Sequence, residues 1–164
     1  EVLTYVPLAI GVLMAVVQFV PEMQQKRLKL TLHLPFPQRR MVTLMLSSGL
    51  VQVLGIFLLN YAVLWIYLQS ILAPELVSRI LLTALPWYLC GLTGYLLAAW
   101  ICLEPTWHRR IVNLLIAAGV IRIFYLGTTP EAYNCFLIGL ALYVVVIVLL
   151  PQLSVARFKQ GCQD

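Results

Sequence analysis

The residues able to do chemistry in this chain are few and widely scattered. His33 and His108 are the two histidines, and neither has a carboxylate or cysteine cluster at metal-ligand spacing. Cys90, Cys102, Cys135 and Cys162 form no C-x-x-C pair and read as free thiols that act as small apolar fillers. No G-x-x-x-x-G-K-[ST], G-x-S-x-G or H-E-x-x-H stands anywhere in the chain, so no nucleotide, acyl or zinc chemistry of its own is expected. The expectation is a chain without catalytic residues, metal or cofactor.

What remains is a small set of polar residues inside apolar runs. Ser48, Gly49, Gln52, Gly55 and Asn60 fall within about 140° of arc on one helix, taking 100° per residue. Small residues let helices approach closely, and Gln or Asn can hydrogen-bond across the contact. That face therefore reads either as a helix-packing face or as the border of a translocation path or subunit interface. Gly91, Gly94 and Ala98 make a similar small-residue face further on. Arg122 is the one strongly charged residue well inside an apolar run. About four residues separate it from the nearer end of that run, roughly 6 Å by helical rise, so snorkelling to the interface would accommodate it. Binding an anionic substrate, or pairing with Glu131, is the functional alternative.

These residues need elements to hold them, and composition fixes the kind. Of 164 residues, 62% are hydrophobic and 10% charged, too little charge to cover a water-facing surface. The apolar residues come in runs long enough to cross a hydrocarbon core roughly 30 Å thick. There the backbone must satisfy itself internally, as a helix or a closed barrel, and the runs exceed the roughly 10 residues of a barrel strand. The chain is expected to be an all-α, polytopic membrane bundle, a single transmembrane domain over residues 1–164. Five spans are predicted at about 2–20, 41–69, 76–103, 111–126 and 132–150, with a tail at 152–164. The second would be roughly 43 Å long and must tilt or protrude. Pro21 and Pro151 are expected to end the first and last spans, Pro86 to bend the third, and Pro105 to open the fourth.

Nine of the 11 Lys and Arg residues fall in three places: the 22–40 loop, the 104–110 turn and the tail. Five spans put all three on one side, and the positive-inside rule makes that side cytoplasmic, with Glu1 outside. Trp107, Tyr67 and Tyr133 fall near the expected interfaces. The net charge of +5 is thus a topology signal, and no basic, aromatic-laced soluble domain points to nucleic acid.

The 22–35 segment, PEMQQKRLKLTLHLP with its leading Pro21, begins as a charged amphipathic helix at the membrane surface. Leu28, Leu30, Leu32 and Leu34 also alternate as a strand would, but a lone strand there would leave its edges unpaired. The segment reads either as a basic loop held against anionic headgroups or as a docking element for a soluble partner.

An outside-to-inside helix, Glu22, a basic amphipathic stretch, a leucine-rich run ending in Leu34-Pro35 and a restart at Arg39-Arg40 resemble the permease subunits of type-2 ABC exporters. The resemblance covers most of the chain as topology and about 22–40 as motif. It implies an amphipathic coupling helix in which Glu22, Lys26, Arg27, Leu28, Lys29, Leu32, Leu34 and Pro35 meet a separate ABC ATPase subunit, which would carry ATP and Mg. It further implies a second permease subunit, identical or not, and a bacterial cytoplasmic (inner) membrane. Ser48, Gln52, Gly55, Asn60 and Arg122 become candidates for the path or the helix interface. The family usually has six spans and a cytoplasmic N-terminus, so a missing first helix is expected before Glu1. It also often has a re-entrant element before the last span, for which residues 127–133 are available. A non-transporting anchor or scaffold subunit is the alternative that the same spans and loop would serve. A small lipid-modifying enzyme lacks an acid–base constellation.

Overall fold

The computed structural model describes residues 2–24, 38–127 and 133–159. Among them every regular element is helical. Helix α1 is Val2–Gln24, α2 Gln38–Ile71, α3 Pro74–Leu103 and α4 Trp107–Ile123. A single 3₁₀ turn, Asn134–Phe136, leads into α5, Leu137–Ile147, and α6, Leu149–Lys159, follows after Val148. Four stretches are long and apolar enough to cross a membrane: Thr4–Pro21, Arg40–Ile71, Pro74–Leu103 and Asn134–Ser154. The chain is thus an all-helical protein of membrane-spanning character.

Helix α3 is the hub. Every residue from Thr93 to Trp100 is buried, so this part of the helix is covered on all its faces by α1, α2, α4, α5 and α6. Helix α1 reaches it most closely, because glycines meet glycines. A Cβ on Gly91 would sit 2.6 Å from the Pro7 carbonyl oxygen and 2.6 Å from the Phe57 ring, and a Cβ on Gly11 would run into the Gly91 carbonyl. Only glycine permits that backbone approach. Gly94 faces Leu8 of α1, so the small-residue face read on the third span is the seat of α1.

Contacts also give the sense of each helix. Pro7 lies by Gly91 and Phe19 by Tyr95, so α1 and α3 run parallel. Gln18 meets Met45 while Tyr88 meets Asn60, so α2 runs opposite to both. Tyr125, just beyond α4, reaches Thr4, while Trp107 lies near Met23 at the other end of α1. The 17-residue α4, about 25 Å long, therefore runs beside most of the 23-residue α1, from near Met23 to near Thr4. The last stretch starts near Ile123, where Tyr133 is bonded, and ends near Glu104, where Ser154 is bonded. One end of the bundle, here the connector end, thus holds the close of α1, the start of α2, the α3–α4 turn and α6.

The outward surface is apolar. Leu58, Leu59, Val63, Ile66 and Leu115, with many other large hydrophobic residues, lie exposed, an arrangement suited to lipid and not to water. The α2–α3 hairpin runs on beyond the start of α1. Val2 stands roughly level with Pro86, and Pro74 lies another twelve residues along, about 18 Å.

Pro105 and Pro151 act differently from the sequence expectation, and Pro21 closes the apolar stretch but not the helix. Helix α1 passes through Pro21 to Gln24, since one lost N–H near a helix end leaves the rest of the last turn bonded. The last stretch breaks at Val148 instead of Pro151, and α6 runs on to Lys159. Pro151 then sits in the first turn of α6, where its missing N–H would have had no partner. Helix α4 begins at Trp107 with Thr106 as N-cap, so Pro105 precedes the helix rather than opening it. Pro74 does occupy a first-turn position, in α3. Helix α3 continues unbroken through Pro86.

Candidate functional site

A polar junction ties three helices together inside the connector half of the bundle. Tyr95 Oη of α3 donates to Gln18 Oε1 of α1 at 2.8 Å and lies 3.4 Å from the Leu46 carbonyl oxygen of α2. Gln18 Nε2 donates to the Met45 carbonyl oxygen at 2.8 Å. Gly49 makes the room, for a Cβ there would strike both Gln18 Oε1 and the Tyr95 hydroxyl. Gln18 lies about two turns before the end of α1, and Met45 about two turns after the start of α2. The two helices that flank residues 25–37 are thereby both tied to the hub helix.

The polar arc read on the second span divides in the structure. Gly49 is buried in the junction, and Ser48 is exposed with its Oγ donating to Met45 O of its own helix. Asn60 Oδ1 accepts the Tyr88 hydroxyl, beside a stack in which Phe57 and Tyr61 both meet Tyr88 edge-on. Gln52, Gly55 and Asn60 line an open groove of about 570 Å³, with Met14, Ile56 and Leu59. Gln52, Gly55 and Asn60 are therefore the path or interface candidates that the fold gathers on one surface. Arg122 is elsewhere, exposed in the last turn of α4, where a cation suits the helix dipole. Lying beside the α4 end that reaches Thr4, it needs only a short snorkel to leave the hydrocarbon. Its proposed partner, Glu131, lies outside the described residues.

So do most of the coupling candidates. Glu22 falls in the last turn of α1. Lys26, Arg27, Leu28, Lys29, Leu32, Leu34 and Pro35, and with them the expected coupling helix, lie outside the described residues.

Two features were missed by sequence reasoning. One is the Gln18–Tyr95 junction, for which the only signal was a glutamine within an apolar run. The other is Glu104, fully buried at the connector end. Its carboxylate accepts from the Ser154 hydroxyl of α6 and, at 3.3 Å, from Thr106 Oγ1. Arg110 Nε donates to the Glu104 main-chain carbonyl at 2.7 Å. An acid followed by proline in a short turn looks like a solvated loop, and nothing in its spacing points fifty residues ahead to Ser154. Cys90, Cys102 and Cys135 are free thiols, with Cys90 buried and Cys135 exposed.

Comparison with protein-family models, with curated proteins and with solved structures finds no match for this chain.

Proposed function

We propose that the chain is a membrane-spanning permease subunit of an ATP-driven transporter, working with a separate ATPase and a second permease. The observation that carries this reading is the gathering at the connector end. The close of α1 at Gln24, the start of α2 at Gln38, the Glu104–Thr106 turn and the Ser154 part of α6 all lie there. With α4 counted as a crossing because it runs beside most of α1, five spans would put nine of the 11 cations on that side. The positive-inside rule makes it cytoplasmic.

The reading supplies a mechanism for this chain's own residues. The 22–35 segment would rest on the ATPase, with Glu22, Lys26, Arg27, Leu28, Lys29, Leu32, Leu34 and Pro35 as its contact residues. The Gln18–Tyr95–Met45 junction would convey its displacement to α3. Helix α3 touches every other spanning element, so a tilt there is felt across the bundle. The groove at Gln52, Gly55 and Asn60 would face the second permease or the path between the two. Paths lined by apolar and small residues suit a hydrophobic or amphipathic substrate. A bacterial cytoplasmic membrane is the setting this assigns.

Copurification tests the reading. The chain, expressed with its neighbouring genes, should bring down an ATPase and stimulate its turnover in lipid, and charge reversal at Lys26, Arg27 and Lys29 should abolish both. A stable complex with no ATPase, or one indifferent to those reversals, would favour a non-transporting anchor instead.

A further inference from the structure

Helices α1 and α4 touch at one end and part at the other. Away from the connector end, the Tyr5 and Tyr125 rings lie 4.9 Å apart and Tyr125 Oη donates to the Thr4 carbonyl oxygen at 3.2 Å. Towards the connector end they diverge, and between them opens a cleft of about 580 Å³ floored by Ile101 and Cys102 of α3. Val20 and Met23 form one wall, and Trp107, Ile111 and Leu114 the other. Trp107 is at the start of α4, and Leu114 is seven residues deeper, about 10 Å by helical rise. The cleft therefore runs from the bilayer interface into the hydrocarbon and opens sideways through exposed Trp107, Ile111 and Leu114.

Its mouth carries a held cation. Arg110 lines the cleft, and its guanidinium is anchored on main-chain carbonyls, Nε on Glu104 O at 2.7 Å and Nη2 on Cys102 O at 3.5 Å. It lies 5.9 Å from the centre of the Trp107 ring. Two of the five guanidinium donors are used in this way, and neutral carbonyls leave the positive charge intact. Arg109 is exposed on the same turn. A fork-shaped cation at the interface, above a narrow apolar slot, has the chemistry of a phosphate clamp over an acyl-chain slot.

We propose that this cleft is a binding site for an anionic phospholipid of the leaflet at the connector end. The headgroup phosphate sits on Arg110, and one acyl chain lies between α1 and α4 against Cys102. The site is independent of the transport reading, since it needs only that the chain lie in a bilayer.

Cys102 is itself the reporter. In the full chain with Cys90, Cys135 and Cys162 replaced by alanine, maleimide labelling of Cys102 is followed in vesicles of phosphatidylcholine, alone or with phosphatidylglycerol. Labelling should slow about fivefold with phosphatidylglycerol, and Arg110→Gln should remove the difference. Leu114→Trp, which fills the slot without touching the charge, should reduce the phosphatidylglycerol retained by the purified protein in native mass spectrometry. Equal labelling in the two vesicles overturns the proposal. So does protection that follows the protein-to-lipid ratio instead of the headgroup, which would mark a second copy in the cleft. Should Arg110→Gln fail to fold, the Leu114→Trp measurement decides, and undiminished retention overturns the site.

Discussion

Replacing glycines by alanine one at a time gives a graded test of the α1–α3 contact. At Gly91 the new methyl would lie 2.6 Å from the Pro7 carbonyl oxygen, a main-chain atom that can retreat only if α1 moves. The Phe57 ring, also at 2.6 Å, would have to shift as well. At Gly94 the nearest atom, also at 2.6 Å, is a Leu8 methyl, and the Leu8 carbonyl oxygen is 3.5 Å away, so a rotamer change relieves the clash. At Gly55 nothing lies within 4 Å. Overpacking a fitted contact costs about 1–3 kcal/mol, and alanine regains about 0.5–1 kcal/mol of backbone entropy in a helix. Gly91→Ala should therefore lose about 1–2 kcal/mol, Gly94→Ala should stay within about 0.5 kcal/mol of the parent, and Gly55→Ala should equal or exceed it. Thermal unfolding of the purified protein in one detergent, read by tryptophan fluorescence, would give the order. Should Gly91→Ala melt with Gly55→Ala, the close backbone approach of α1 to α3 is wrong.

Other consequences follow from the same contacts. Tyr95→Phe removes the hydroxyl joining α1, α2 and α3, and intramembrane hydrogen bonds average about 0.6 kcal/mol and reach about 1.7. A loss of roughly 1 kcal/mol in the same melts is expected, with a parallel fall in ATPase stimulation if the junction conveys motion. Glu104→Ala strips the Ser154 hydroxyl of its buried acceptor, at a cost of about 1–3 kcal/mol. Limited proteolysis should then cut α6 faster, and a Glu104→Ala variant as resistant as the parent would refute the tie. Maleimide should label Cys135 fastest, Cys102 next and Cys90 last, as their exposure dictates. Arg122→Gln should leave the melting temperature within about a degree, since an exposed cation at a helix end contributes little.

The elements were legible in the sequence because their driving force is local. Runs such as Val2–Val20 and the stretch after Met41 are apolar whichever neighbours they meet, and the bilayer sets their length. Helix ends were less legible, because proline acts by its place in a turn. Pro151 reads as a stop until Val148 is known to break the helix first, after which the same residue lies in a permissive first turn. The candidate site was legible only in part. The arc from Ser48 to Asn60 shares one helical face, yet Gly49 turns to Tyr95 while Gln52 faces outward, a division set by where α1 packs. Gln18, Tyr95 and Glu104 draw their meaning from partners 27 to 77 positions away, and spacing within one segment carries no record of those.

The proposed topology puts residues 25–37, the α3–α4 turn and residues 160–164 on one face of the membrane. Single cysteines at Lys26, Thr106 and Gln160, and others at Leu72 and Gly127, can be probed in intact cells with a maleimide that does not cross the bilayer. The first three should stay unlabelled until the cells are opened, and the last two should label at once. Labelling of Lys26 and Gln160 from opposite sides would contradict it.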